Sequence, residues 1–95
     1  MELRWWWLRY VAMQTMREAG GELTIPELVS RIEAQGFTIP GRPSKTLSDG
    51  FRGDLRRGRV IRVARGCYRI GPMPGGTQRR IAAEVRRLRM AVRTS

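Results

Sequence analysis

Lys45, Ser48, Arg52 and Arg56 stand at helical intervals, and at about 100° per residue they fall within about 80° of one another on a helix wheel. Asp49 lies on the same side. Lys and Arg are obligate donors, and the guanidinium fork matches phosphate oxygens or the N7 and O6 pair of guanine. Ser48 could contact other base edges. Asp49 could accept from a cytosine amine, or serve only to orient Lys45 and Arg52 across one helical turn. Leu47, Phe51 and Leu55 fall about 120° away, so one helix would offer an apolar face to a core and a donor-rich face to solvent. That is the chemistry of recognition.

Most charged helix faces are merely solvated, and the local pattern alone is balanced between the two readings. The distribution of charge along the chain tips it. Residues 1–41 carry four Arg against five acids, residues 42–71 nine bases against two, and residues 72–95 six against one, for a net charge of +11. Basicity that begins abruptly at one chain position marks a surface. Arg42 precedes the helix, and Arg62, Arg65 and Arg69 edge the β-hairpin expected after it, where contacts to phosphate or a minor-groove Arg belong. The candidate nucleic-acid contacts are therefore Arg42, Lys45, Thr46, Ser48, Asp49, Arg52, Arg56, Arg62, Arg65 and Arg69. Arg57 and Arg59 could equally complement a helix end.

Catalysis finds little support. The 95 residues include no histidine and one cysteine, which removes the usual general base, the commonest metal ligand and any internal disulfide. Asp49 and Asp54 fall on different sides of their helix and make no natural catalytic or metal-binding pair. No enzyme activity, metal or cofactor is expected. Cys67 reads as a small apolar strand residue, and a reducing cytoplasm as the setting, with the nucleoid as the site. The apolar start, Trp5 to Met16, is broken by Arg9 and is shorter than the roughly 20 residues of a membrane span. Glu2 and the lack of a small-residue cleavage site argue against a signal peptide.

Ninety-five residues make one domain. Leu3 to Ala19 contains neither Pro nor Gly and predicts a first helix, stopped by Gly20-Gly21. Thr24-Ile25-Pro26-Glu27 fits a capping box with Leu23 and Leu28 at the staple positions, so a second helix starts there and runs through Gln35. Ser44 is a suitable N-cap for a third helix, Lys45 to Arg57, closed by Gly58. Gly50 and Gly53 inside it cost roughly 1 kcal/mol each relative to Ala, which points to a close approach there, tight packing against the first or second helix in preference to backbone approach by nucleic acid. Val60, Ile61 and Val63, then Tyr68 and Ile70, predict two strands about a turn at Arg65-Gly66, with Gly66 at positive φ and a bulge. Residues 1–71 would form the folded unit and 72–76 a Pro/Gly linker. Residues 77–95 would form a basic amphipathic helix capped by Thr77, with a narrow stripe of Ile81, Val85, Leu88 and Val92.

The order helix, short strand at Leu23 to Ile25, capped helix, helix, hairpin predicts an α+β, mostly helical fold. It is the winged helix-turn-helix arrangement, three helices and a small hairpin wing, with an additional C-terminal helix. The run from Leu8 to Ile70 resembles a HARE-type winged helix. The likeness rests on Ala12 and Met16, the Leu23 to Ile32 segment, Pro43-Ser44, and the hairpin residues Arg62-Val63 and Gly66-Cys67-Tyr68-Arg69-Ile70. These positions are mostly structural. The resemblance therefore implies a fold more than a partner, and the heavy basicity departs from some members of that family. Arg outnumbers Lys eighteen to one, in keeping with a GC-rich bacterial genome.

Trp5, Trp6 and Trp7 point about 200° apart from first to last on a helix, so they cannot share one core. Either one is left on the surface or the first helix packs on two sides. Pairing these tryptophans with the narrow stripe of Ile81, Val85, Leu88 and Val92 gives a helix seam, inside one chain or across a homodimer. A loose tail holding nucleic acid by charge alone is the alternative. The expectation is a non-catalytic protein that binds double-stranded DNA as a transcription regulator or nucleoid-associated protein. Its rivals are a module that binds a protein partner and an RNA binder; a membrane role lacks aromatic anchors on the basic helix.

Overall fold

The computed structural model describes residues 1–94; Ser95, the last residue of the predicted basic helix, lies outside the described residues. The chain forms an α+β, mostly helical fold in the order α1 (Trp5–Ala19), β1 (Leu23–Thr24), α2 (Ile25–Ala34), α3 (Pro43–Gly50), α4 (Arg52–Arg56), β2 (Val60–Ala64), β3 (Cys67–Ile70) and α5 (Gly75–Thr94).

Helix α1 starts two residues later than its composition suggests. Leu3 is buried, its N–H donates to the Thr38 carbonyl at 3.0 Å, and the Thr38 N–H donates to the Met1 carbonyl at 2.8 Å. An extended pairing with the α2–α3 connection thus outcompetes one more helical turn. At the far end Gly20 adopts φ 74°, the left-handed cap that a glycine supplies without a Cβ clash. The capping box is present in both directions: the Glu27 N–H donates to Thr24 Oγ1 at 3.3 Å and the Thr24 N–H donates to Glu27 Oε1 at 2.9 Å. Glu27 has its carboxyl held below the usual range by the Thr24 backbone N–H. Helix α2 stops at Ala34, with Gln35 as its C-cap.

The strands form one antiparallel sheet in the order β1-β3-β2, with Leu23 opposite Tyr68 and Val60 opposite Ile70. Gly66 takes φ 70° in the turn, and the register slips between Arg62 and Ala64, the bulge expected there. Phe51, fully buried, meets Tyr68 with ring centroids 5.5 Å apart and joins the α3–α4 bend to β3. Gly71 closes the hairpin against Gly58 and Arg59, where any Cβ would run into the Gly58 carbonyl oxygen.

The C-terminal helix is part of this body. Ile81, Val85 and Leu88 are buried against the core, and α5 packs along α1. Arg89 fastens it at a second point, donating to both carboxylate oxygens of Glu18 at 2.8 and 2.9 Å and to Gln35 Oε1 at 2.9 Å. Val92 lies against Gly36, where a Cβ would come within 2.6 Å of Val92 Cγ1. Gly75 and Gly76 belong to α5, so the linker is shorter than 72–76 and Thr77 is an interior residue of the helix. The α5 stripe packs on α1 of the same chain. Of the three tryptophans only Trp7 joins it, with the Arg87 guanidinium 5.7 Å from its ring; Trp5 and Trp6 remain 57% and 42% exposed.

Candidate nucleic-acid interface

Pro43 opens α3 because a first-turn residue needs no N–H and Pro already has the required φ. Arg42 therefore occupies the N-cap position, and Ser44, expected there, sits inside the first turn. The predicted continuous third helix breaks at Phe51. The Phe51 N–H is shared between the Leu47 and Ser48 carbonyls at 3.2 and 3.3 Å, its ψ opens to −9°, and a new helix begins with Leu55 N–H donating to the Phe51 carbonyl at 2.8 Å. Burying the Phe51 ring between the helices and β3 sets the bend. Lys45, Ser48 and Asp49 are thus presented by α3, and Arg52 and Arg56 by α4.

Lys45 and Arg52 project into solvent, with side chains 67% and 77% exposed, and both reach Asp49: Lys45 Nζ to Oδ2 at 2.8 Å, Arg52 Nη2 to Oδ1 at 3.5 Å. The Lys45 ammonium holds the Asp49 carboxyl below its usual range. Of the two roles open to Asp49, orienting its neighbours matches this geometry. Thr46 departs from expectation: its hydroxyl donates to the Pro40 carbonyl at 2.7 Å and locks the α2–α3 connection, so its proton is not free for an external acceptor. Ser48 is half-buried, while Arg42 and Arg56 are exposed with no acidic partner among the described residues.

The hairpin spreads its bases apart. Arg62 pairs with Tyr68 and Arg69 with Ile61, and directly opposed residues share a face of a pleated sheet. Arg62 therefore emerges on the side of Tyr68 and Arg69 on the other, with Arg65 at the tip. These three side chains cannot lie along one flat surface together.

Between α1 and the α3–α4 bend lies a hollow of about 500 Å³ lined by Trp5, Arg9, Thr46, Asp49, Gly50, Gly53 and Arg57. One of the lining residues, Arg9, belongs to an ion pair that residue spacing does not reveal. Arg9 Nε donates to Asp54 Oδ2 at 2.8 Å and Nη2 to Oδ1 at 2.6 Å, with Asp54 fully buried. The paired carboxylate raises the Arg9 guanidinium above its ordinary value. The one sequence signal was Arg9 itself, a charge interrupting an apolar helix face. Gly50 and Gly53 are not packed tightly, contrary to expectation: a Cβ at Gly50 would meet Arg9 Cγ at 3.9 Å and one at Gly53 would meet Arg57 Nη1 at 3.6 Å. Both are ordinary contacts, and the two glycines floor the hollow.

No helix among the described residues is long and apolar enough to cross a membrane, and no group of three or more His, Cys, Asp or Glu among them is placed to hold a metal. Comparison with protein families, curated proteins and solved structures returned no match.

Proposed function

We propose that this chain is a winged helix-turn-helix protein, similar to the HARE type, that binds double-stranded DNA without catalysis, as a transcription regulator or nucleoid-associated protein. In this reading α3 and α4 enter the major groove and the β2–β3 hairpin is the wing. The observation that carries it is the exposed, outward-facing set Arg42, Lys45, Arg52 and Arg56 on a bend held rigid by buried Leu47 and Phe51. Support also comes from the sheet order, in which the strand before α2 pairs with the second strand of the hairpin. Arg52 is a candidate for base readout, and Arg42, Arg56 and Arg65 for phosphate contacts.

Binding of fluorescent duplexes of differing sequence tests this directly. Arg52→Ala should cost about 1–3 kcal/mol on a preferred duplex and less on others, whereas Arg65→Ala should weaken all duplexes alike. Equal binding of all variants to every duplex refutes the assignment. The exposed Trp5 and Trp6 favour a second reading as a protein-interaction module, since exposed aromatics beside Arg are typical of interface anchors. Pull-down with and without nuclease separates the two: partners retained after digestion favour the protein module.

A further inference from the structure

The second basic block is separated from the first by α1, which packs on the α3–α4 bend with one face and on α5 with another. Trp5 and Arg9 face the α3–α4 bend, through the shared hollow and the Arg9–Asp54 pair. Trp7 and Glu18 face α5, through Arg87 and Arg89. On the α1 wheel these two pairs stand about 140–180° apart. Helix α1 is therefore clasped between the α3–α4 bend and α5. The bend turns Thr46, Asp49, Gly50, Gly53 and Arg57 toward the hollow and α1, while exposed Lys45 and Arg52 stand at its rim on Asp49 and exposed Arg56 lies outside the lining.

Helix α5 does the same in the other direction. Its buried stripe of Ile81, Val85 and Leu88 faces inward, and Arg79, Arg86 and Arg93 recur every seventh residue, about 120–160° from that stripe. All three are exposed and have no acidic partner among the described residues. A seven-residue interval is about 10.5 Å along the axis, so the row spans about 21 Å. Arg87 and Arg89, by contrast, are engaged: Arg87 pairs with Glu84 of α5 itself and stands over Trp7 of α1, and Arg89 pairs with Glu18 of α1. One set of arginines on α5 is tied down and another is left facing solvent.

We propose that α5 carries a second binding surface for duplex DNA, Arg79–Arg86–Arg93, so that one copy of the chain bridges two duplexes across its body. The proposal rests on the DNA-binding reading of the α3–α4 face. The width of one helix with its side chains, about 10 Å, separates the bend from α5, about one Debye length at 0.1 M salt, so repulsion between duplexes held on the two surfaces is partly screened. A bridging protein of this kind acts architecturally, which favours the nucleoid role over sequence-specific regulation.

The test captures a labelled duplex on a second, immobilised duplex with the full chain at limiting concentration, beside single-duplex affinity and sedimentation. The variant Arg79→Gln/Arg86→Gln/Arg93→Gln changes only exposed side chains, and circular dichroism verifies its fold. The expected result is that the wild-type monomer captures the labelled duplex, while the variant loses capture by about tenfold or more and keeps single-duplex affinity within about tenfold. Capture that persists in the variant, or that depends on a dimer, overturns the proposal. So does loss of single-duplex binding in step with capture, which would make both blocks one site. A wild-type chain that binds one duplex without capturing a second overturns bridging alone, whereas one that binds no duplex overturns the DNA-binding reading beneath it.

Discussion

Gly50, Gly53 and Gly71 are three glycines with opposite consequences. A Cβ at Gly50 or Gly53 meets only ordinary contacts, and neither residue has positive φ. Replacing either by Ala should therefore stabilise the protein by up to about 1 kcal/mol, measured by urea unfolding, while narrowing the hollow. Gly71→Ala should destabilise it severely, because the new methyl meets backbone that cannot yield. The Arg9–Asp54 pair is a similar contrast. Arg9→Ala leaves a buried carboxylate uncompensated and should cost about 3–5 kcal/mol, whereas replacing both partners with apolar residues should recover most of that loss. Equal destabilisation by the single and double replacements would show that the pair contributes more than the removal of its own burial cost.

Among the elements, α5 is the one whose placement the sequence left open. Its amphipathic stripe was legible, as were the capping box of α2, the Gly20 stop and the hairpin about Gly66, because each depends on residues close in the chain. The docking of α5 depends on Glu18, Gln35 and Arg89, up to 71 positions apart. The bend at Phe51 was hidden for the same reason, since packing against Tyr68 decides it. Thr46 looked like a surface donor and is a lock on the connection before α3. Of the expected contact residues, Arg42, Lys45, Arg52, Arg56 and Arg65 remain outward-facing, while Arg62 and Arg69 diverge across the pleat.

The α5 attachment should also be acid-sensitive. Arg89 holds the Glu18 carboxyl below its usual range, so Glu18 contributes stability above its unfolded-state pKa and loses it as pH falls through the folded value. Thermal unfolding should show Tm falling as pH drops from about 5 to 3, with a smaller fall in Glu18→Gln. The contribution is modest because the pair is partly exposed to solvent. An identical acid response in that variant would place the sensitivity elsewhere.

At the scale of the whole molecule, charge stands outside the core apart from buried Asp54, which Arg9 pairs. The apolar centre is continuous from Leu3 to Leu88, and unpaired bases stand outside it on the α3–α4 bend, at the hairpin tip and along α5. Such a surface should bind polyanions by releasing counterions, with affinity set by how many phosphates are neutralised together. The most direct measurement is duplex affinity as a function of salt, followed by fluorescence anisotropy. With six to eight phosphate contacts, affinity should fall about a thousandfold or more between 50 and 200 mM salt. A flat response over that range would contradict DNA binding by these surfaces.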